Sequence, residues 1–562
     1  WLQFCGDSRH TCVNSSETTL NPDNVKGLKK IFSVPLDNAT DAQPAFLSGV
    51  TTPMGPKDLL FVLTSQSQLV AMDAYTGATV WSKKYPGATY LVTGPVIDPD
   101  RKFIYTYGLD GKVHKLQVGD GTEILTGGWP EVSTAQTKMR GYTLSQATTK
   151  SGAKYLYSNV TAYINSPGSI TVINLGDGSQ HVFNGNCSNV DAHFGLAGAP
   201  ANCADGGGGN AWSRQGVVYH PDLDLAYTTF GTDGGGGYSL TKFNWTAAII
   251  AMRPDGTTNN GMPVNTYNNG GCYPTAPGII PTLPGCKYKY LGVQANKGSQ
   301  LWFINMENLS NQANPFGNPA AIAPKLTLPQ GGLIYAGPTV WTNPADNTVW
   351  VYVGSENGLG AVQIGVDGNG NPTMTNKWSQ KTSFTTTPFV ANGVLYVTDG
   401  GGQARFWAGD DHGIKKIYAM NPTTGAVLWS DTINYHHWSS PIVVNGVLYI
   451  GDGKTGEGGI SQANKGAMTA YSLTTDHPIS TLGAVEIPGF SYRIHPGLLH
   501  LTLPLQRPAE FALMSLTGRT LMQRWLQGGP QYEIPLQAGI RGALLMRVRQ
   551  GQGEFTRRIH LD

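Results

Sequence analysis

The chain of 562 residues is poor in charge: Asp, Glu, Lys and Arg make up 13% of it, against about 25% in average soluble proteins. The formal net charge of +2 gives no electrostatic argument for binding nucleic acid or an anionic membrane. No apolar run approaches the ~20 residues that span a bilayer. We therefore expect no nucleic-acid partner and no membrane span.

Cysteine is also scarce, with six residues and neither a Cys-x-x-Cys motif nor a Cys/His metal spacing. The six form local couples in Gly-, Pro- and Asn-rich sequence: Cys5 with Cys12, Cys187 with Cys203, and Cys272 with Cys286. We expect three local disulfides, with free buried thiols as the alternative. Disulfides indicate an oxidising compartment, and a start at Trp1 without a Met or signal peptide suits an exported protein. The predicted location is secreted, extracellular or at the cell surface.

What the sequence has in abundance is glycine, with 73 residues, and a repeat. The stretch "SSPIVVNGVLYIGDG" at 439–453 matches "TTPFVANGVLYVTDG" at 386–400 in nine of fifteen positions. "LLFVLTSQSQLVAMDAYTGATVWSKKYP" shows the same order: an apolar strand, a turn, an Ala-x-Asp/Asn strand, Thr-Gly, and a strand ending in Trp. Four short strands in about 40 to 50 residues predict the blades of a β-propeller.

The repeat predicts an all-β fold with eight blades, and seven is the alternative. The blades are expected at 43–86, 93–130, 144–183, 213–256, 288–330, 336–378, 385–433 and 439–475. The last copy lacks its fourth strand, whereas "NVKGLKKIFSVPLD", which precedes the first copy, looks like that missing strand. A strand at 28–36 that completes the last blade would close the ring and remove its open edge.

Two motifs, "AMDAYTGATVW" and "AMNPTTGAVLW", resemble the tryptophan-docking repeat of the pyrroloquinoline-quinone (PQQ) dehydrogenase propellers. Their recurring residues are Thr76, Gly77 and Trp81, and Thr424, Gly425 and Trp429. The resemblance covers about residues 1–475 and implies that each Trp packs on a neighbouring blade near its Gly. It also implies what an enzyme of this family needs: a quinone between a Trp and a disulfide of adjacent cysteines, calcium held by Glu and Asn, and an Asp base.

The chain departs from that family pattern where the chemistry is expected. It has no adjacent cysteines, and no segment corresponds to the one that carries the Asp base. By the resemblance, Asp233 replaces the calcium-binding Asn and Tyr163 replaces the calcium-binding Glu. An Asp can bind calcium, but a Tyr cannot replace the Glu carboxylate. We therefore assign no catalytic residue, keep Asp233 as the candidate cofactor-binding residue, consider calcium as a cofactor, and do not expect PQQ.

Three loops are predicted to meet at the funnel entrance: "FWAGDDHGIKK", "INYHHWSS" and "GDGKTGEGGISQANKG". They bring together candidate metal ligands at one rim, namely Asp410, Asp411, His412, His436, His437 and Glu457, with Trp438 beside them. Carboxylates and imidazoles in such a place can bind a divalent cation or a polar ligand. The alternative is that they are solvated loop residues beside a packed Trp.

Composition changes abruptly after Lys465. All 23 Lys precede position 466, while the remainder has nine of the 15 Arg and no Lys, Asn or Cys. We place a propeller at 1–475, a linker at 476–487 and a small β-sandwich at 488–562, where apolar and polar residues alternate between Gly-containing turns. The "SLTGRTL" hairpin, "AGIRGALLMRVRQGQG" and the ending "FTRRIHLD" resemble the C-terminal sorting domains of bacterial type IX secretion; a generic accessory sandwich is the alternative.

Together these features predict a secreted or cell-surface β-propeller that binds an extracellular ligand or protein partner, or assists extracellular assembly. They do not predict an enzyme. The alternatives are a PQQ-dependent alcohol or sugar dehydrogenase with a divergent pocket, and an envelope scaffold protein. The C-terminal module is expected to direct export or surface attachment.

Overall fold

The computed structural model describes the chain except for residues 41, 88–90, 92, 135–139, 162–167, 201–202, 204–208, 210, 212–214, 232–237, 269–272, 310–324, 382–385, 400–414, 435–438, 454–465, 475–490, 496–497, 504–507, 516–519, 528–530, 537–539, 541, 551–552 and 562. The chain forms two compact units. The first comprises residues 1–47 and 60–477, and the second comprises residues 48–59 and 478–562. In the described residues of this all-β chain, one 3₁₀ turn at Val25–Gly27 is the only helical element.

Strands in the first part of the chain are β1 (Val13–Asn14), β2 (Lys29–Leu36), β3 (Ala45–Thr52), β4 (Gly55–Leu63), β5 (Gln68–Asp73), β6 (Thr79–Lys84), β7 (Val96–Ile97), β8 (Phe103–Tyr107), β9 (Lys112–Gln117), β10 (Glu131–Val132), β11 (Arg140–Thr148), β12 (Lys154–Thr161), β13 (Ser169–Asn174), β14 (Gln180–Asn184), β15 (Val218–His220), β16 (Leu225–Thr229), β17 (Ala248–Met252) and β18 (Asn265–Asn268). They are followed by β19 (Gly278–Ile280), β20 (Leu291–Asn296), β21 (Gln300–Asn305), β22 (Leu326–Thr327), β23 (Thr339–Thr342), β24 (Val349–Ser355), β25 (Gly358–Val366), β26 (Pro372–Gln380), β27 (Phe389–Ala391), β28 (Val394–Thr398), β29 (Lys416–Met420), β30 (Val427–Thr432), β31 (Ile442–Val444), β32 (Val447–Gly453) and β33 (Gly466–Ser472).

These strands form eight successive sheets in the described part of the chain. The sheets, numbered first to eighth, are β3–β6, β7–β10, β11–β14, β15–β18, β19–β22, β23–β26, β27–β30 with β1, and β31–β33 with β2. In each, neighbours in sequence pair antiparallel, as in propeller blades. Middle strands such as β24 and β32 are buried along their whole length, because each sheet packs between two others. The blade number of the ring itself stays a prediction.

The eighth sheet is completed by the N-terminal strand, which confirms the prediction made from the repeat. Strand β2 pairs antiparallel with β33 from Lys29 opposite Ser472 to Leu36 opposite Gly466. The hydroxyls of Ser33 and Thr469 lie 2.9 Å apart across this pair. The Oγ of Ser439 donates to the carbonyl of Ala42 (3.0 Å), which links the eighth sheet to the first. The first and eighth sheets are thus held together by hydrogen bonds and not by a covalent bond.

The tryptophan-docking prediction is confirmed at two sheets. The Trp81 indole donates to the Val118 carbonyl (2.9 Å), and its ring covers Gly121 of the second sheet. The Trp378 indole donates to the Pro422 carbonyl (3.0 Å), and its ring covers Gly425 of the seventh sheet. Each Trp therefore packs on a glycine turn of the next sheet, and this buries aromatic area between sheets.

The structure corrects three predicted blade boundaries. The third sheet starts at Arg140 instead of 144, and the fourth extends to Asn268 instead of ending at 256. The fifth starts with Gly278–Ile280 instead of at 288. The fourth sheet's last strand reads "NTYN" and the fifth sheet's first strand has three residues, so neither shows the apolar pattern of a strand.

The strands of the second unit's C-terminal part are β34 (Ser491–His495), β35 (Leu498–Thr502), β36 (Ala509–Ser515), β37 (Thr520–Leu526), β38 (Gln531–Pro535), β39 (Gly542–Gln550) and β40 (Gly553–Leu561). They form two antiparallel sheets, in the orders β34-β35-β38 and β37-β36-β39-β40. One apolar core with residues from both sheets, such as Leu499 and Leu501 with Phe511 and Met546, joins them into a sandwich.

Two of the three predicted disulfides are present: Cys5–Cys12 and Cys187–Cys203. The structure differs from the prediction at the third couple, because Cys286 is a free, half-buried cysteine. Its predicted partner, Cys272, lies outside the described residues. Among the described residues, no helix has the length and apolar character to cross a membrane.

Candidate functional site

Every residue that the sequence predicted to bind a metal or cofactor lies outside the described part of the chain. This holds for Asp233, Asp410, Asp411, His412, His436, His437 and Glu457, and also for Tyr163 and Trp438. The structure describes the strand ends that flank the three predicted rim loops, 400–414, 435–438 and 454–465. The geometry of those strand ends defines the candidate site.

The strand ends that flank the three loops are hydrogen-bonded to one another. At the end of β28, the Oγ1 of Thr398 donates to the carbonyl of Ser439 (3.1 Å), which precedes β31. The backbone N–H of Asn434, just after β30, donates to Asp452 Oδ2 (2.9 Å) on β32. Loops 400–414, 435–438 and 454–465 thus start from contacting residues of the seventh and eighth sheets. We name Thr398, Asp399, Asn434, Ser439 and Asp452 the loop-base cluster.

Two carboxylates of the loop-base cluster are fully buried. Asp399 is 2% exposed and Asp452 is 0% exposed. Burial, followed by the charge of nearby carboxylates that include Asp452, raises the pKa of Tyr471 far above its usual value. Burial and Asp399 likewise raise the pKa of Tyr418. Two carboxyl groups therefore lie buried at the base of the loops, and in their ionised form they would attract a cation bound above them.

Metal coordination by the cluster alone is not supported. The described residues contain no group of three or more His, Cys, Asp or Glu side chains that could hold a metal ion. A calcium ion takes six to eight oxygen ligands, so a cation there would need the carboxylates of the loops as well.

A second polar cluster, which the sequence reasoning missed, lies between the first and second sheets. His114 on β9 is almost fully buried, with Nδ1 2.7 Å from Glu123 Oε1 and Nε2 3.2 Å from Asp110 Oδ1. The ring of Tyr85, which follows β6, stacks on the imidazole with centroids 3.5 Å apart. Although burial opposes it, the hydrogen bond and charge of His114 lower the pKa of the Asp110 carboxyl. The hydrogen bonds to the two carboxylates hold the imidazole within the second sheet, and the stacked Tyr85 ring connects it to the first.

A third feature is a buried side-chain amide on the third sheet that has no hydrogen-bond partner. Asn159 on β12 is 1% exposed, and neither its Nδ2 nor its Oδ1 has a hydrogen-bond partner. It lies on the strand face that packs on the fourth sheet, since the next residue but one, Thr161, donates to the carbonyl of Ala211 (3.0 Å). A buried amide without partners costs about 1–3 kcal/mol, and such a group is satisfied by a bound polar molecule.

This orphaned amide gives a stability prediction. Asn159→Leu, which keeps the side-chain shape, should raise the free energy of unfolding by about 1–3 kcal/mol because it removes an unsatisfied buried group. The measurement is thermal or denaturant unfolding of the ligand-free protein. Asn184→Leu is the matched control and should destabilise, because the Asn184 amide donates to the carbonyls of Val190 and Ala192. Destabilisation by Asn159→Leu would mean that the amide is satisfied in solution.

The first 92 residues match the model of the family described as the β-propeller domain of glucose/ethanol/alcohol dehydrogenase (PQQ). No curated protein sequence matches the chain. Solved structures that it resembles include a europium-containing methanol dehydrogenase, at 14% identity and a TM-score of 0.58, covering 84% of this chain and 98% of that one. The quinohemoprotein alcohol dehydrogenase ADHIIG of Pseudomonas putida HK5 has 13% identity and a TM-score of 0.56, covering 87% and 83%. That of Comamonas testosteroni has 15% identity and a TM-score of 0.55, covering 88% and 83%.

At these identities the comparisons establish the fold, which is a PQQ-type β-propeller. They do not extend to chemistry. The two described disulfides of this chain join residues 7 and 16 apart, not adjacent cysteines. That Tyr163 replaces the calcium-binding Glu stays a prediction from the resemblance.

Proposed function

We propose that the protein is an exported β-propeller that binds an extracellular ligand or envelope partner through the loops of its seventh and eighth sheets, and that it does not turn over substrates with PQQ. One observation carries this proposal: the loop-base cluster joins the starts of three loops that contain six candidate ligand residues. Loops anchored on rigid strands are the usual place for binding residues. The buried Asp399 and Asp452 favour a divalent cation or a cationic group on the ligand.

Export is supported by two disulfides, since such bonds persist in oxidising compartments. The Lys-free, Arg-rich sandwich that resembles type IX sorting domains would direct surface attachment. A PQQ-dependent dehydrogenase remains the competing function, because the solved structures with this fold include quinohemoprotein alcohol dehydrogenases.

The test is reconstitution with PQQ and calcium. Because the chain has no adjacent-cysteine disulfide to cover the quinone and Tyr163 replaces a calcium carboxylate, we expect no PQQ binding by calorimetry. We expect no dye-linked oxidation of ethanol or glucose. Turnover that disappears in Asp233→Ala would overturn the proposal in favour of the dehydrogenase.

The binding arm of the test uses the metal alone. Calcium and zinc titrations of the full chain should show a site that is lost in a variant with Asp410→Ala, Asp411→Ala and His412→Ala. Asp23→Ala, an exposed carboxylate elsewhere, is the matched control and should leave binding unchanged. Binding that survives the triple substitution would contradict the assignment of the rim loops.

A further inference from the structure

Residues 1–20, which we name the N-terminal segment, run along the inner edges of six sheets. Backbone N–H groups of Phe46, Ile97, Tyr219 and Val390 donate to carbonyls of Trp1 (2.8 Å), Leu2 (2.8 Å), Ser8 (2.7 Å) and Cys12 (3.0 Å). The N–H of Gln146 donates to Gln3 Oε1 (2.8 Å), and the Asn14 amide donates to the Val443 carbonyl (2.8 Å). These six partners lie on β7, β11, β15, β27, β31 and β3, the first strand of each sheet.

First strands are the inner edges of propeller blades and face the central channel. A segment that contacts six of them must lie where they converge. Strand β1 even adds to the seventh sheet as a fifth, parallel strand at that edge. The segment therefore occupies the axis and satisfies backbone groups that would otherwise face the channel.

The segment carries one side chain whose chemistry conflicts with this place. His10 is 1% exposed, and neither ring nitrogen has a hydrogen-bond partner. It lies within the Cys5–Cys12 loop, and its nearest aromatic neighbour is Phe4, with ring centroids 6.2 Å apart. Burial alone lowers its pKa to about 3. A protonated imidazole there would be a buried charge without a partner.

Few charged groups compensate for it. On the segment itself, burial and then Arg101 lower the pKa of the Trp1 α-amino group to about 5. The half-buried Asp7 and the exposed Arg9 lie 4.0 Å apart, and Glu17 accepts from the N–H of Gly446. In sequence, the six first strands contain only Arg140 and His220 as Asp, Glu, Lys, Arg or His residues. His220 is itself kept neutral by burial, which lowers its pKa, with Arg9 adding to the effect. Burial is the one cause that shifts the pKa of His10, so none of the described charged groups compensates for a proton on its ring.

We propose that the N-terminal segment is an acid-responsive plug of the propeller axis, held in place while His10 is neutral and displaced when His10 takes up a proton. The direction follows from linkage. The plugged state is fully favoured above the ordinary His pKa of 6.5 and loses stability as the pH falls from there towards 3. Protonation of His10 by itself raises the population of the displaced state about 30-fold between pH 7.5 and pH 5. This proposal does not depend on the proposed function.

The experiment measures exposure of the Cys5–Cys12 disulfide, whose two residues are buried in the plugged state. Limiting tris(2-carboxyethyl)phosphine is added at pH 7.5 and at pH 5, and thiols are trapped with N-ethylmaleimide and mapped by mass spectrometry. The Cys187–Cys203 disulfide is the internal reference for the pH dependence of the reagent. In the wild-type protein, the reduction rate of Cys5–Cys12 relative to that reference should rise 10- to 30-fold at pH 5.

His10→Asn is the informative variant, because His10 has a φ of 52°, a left-handed conformation that Asn tolerates. Between the two pH values its rate ratio should rise at least tenfold less than that of the wild type, and any rise that remains belongs to the Trp1 α-amino group. His220→Gln is the matched control and should keep the wild-type rise. A wild-type ratio that does not change, or an equal rise in His10→Asn, would overturn the proposal. Global acid unfolding would speed the reduction of both disulfides and leave the ratio of their rates unchanged, and this outcome counts against the plug. The wild-type result decides the question even if His10→Asn fails to fold.

Discussion

Trp81→Ala is expected to lower the free energy of unfolding by about 3–5 kcal/mol, the usual cost of deleting a buried Trp. The Trp81 side chain is 9% exposed, and it covers Gly121 and donates to the Val118 carbonyl of the next sheet. Its loss removes apolar contact and leaves that carbonyl without its partner. Thermal or denaturant unfolding measures the effect, and Trp81→Phe should lose less because an aromatic ring is kept.

The specific signature of docking is coupling between the two sheets. Gly121 has a φ of +69°, and a Cβ there would lie 2.6 Å from the Trp81 ring, so Gly121→Ala alone should also destabilise. In Trp81→Ala the clash is relieved and only the backbone strain remains. The double variant should therefore be less destabilised than the sum of the single variants by about 1 kcal/mol or more. Additive losses would show that the ring and the glycine do not act as one contact.

The repeat made most of the fold predictable from the sequence. An apolar strand followed by Ala-x-Asp/Asn and Thr-Gly recurs, so the strands around Trp81 and Trp429 were assigned correctly, as was the return of β2 to β33. The predictions were wrong where a strand lacks the apolar pattern of a buried strand. The "NTYN" strand at Asn265–Asn268 is polar, and Gly278–Ile280 is too short for a pattern.

The N-terminal segment and the His114 cluster were not predictable for a different reason. "WLQFCGDSRHTCVN" has no strand pattern, and its partners lie up to 429 residues away. His114 contacts Asp110 in the turn before β9 and Glu123 in the segment after β9. The alternation of "DGKVHKLQ" and the proximity of Glu123 were a weak signal for it. The contacts of the N-terminal segment join residues that are far apart in sequence, and a single sequence does not show such pairs.

The candidate site could be predicted only in part from the sequence. Sequence reasoning grouped Asp410, His436 and Glu457 by analogy of blade loops, and these residues lie outside the described part of the chain. The contacts of Thr398 with Ser439 and of Asn434 with Asp452 bring the starts of those loops together. The grouping of the loops thus has support from the strand ends, while the ligand geometry stays a prediction.

A disulfide across the ring closure should stabilise the propeller strongly. Ser33 and Thr469 are direct partners of β2 and β33, with hydroxyl oxygens 2.9 Å apart, so cysteines at these positions are well placed to bond. The residues are 436 apart in sequence, and a cross-link over so long a loop removes much entropy from the unfolded chain. We expect Ser33→Cys/Thr469→Cys to gain about 2–4 kcal/mol in the oxidised state.

The controls separate the cross-link from the substitutions. Each single cysteine variant, in a Cys286→Ser background that removes the described free thiol, should stay near wild-type stability or fall slightly below it. Reduction of the double variant should abolish the gain, and peptide mapping should show the 33–469 bond. If that bond forms without a rise in melting temperature, the contact between β2 and β33 does not limit unfolding. A failure of the two cysteines to bond under oxidising conditions would contradict the register of the closing strand itself, on which the ring depends.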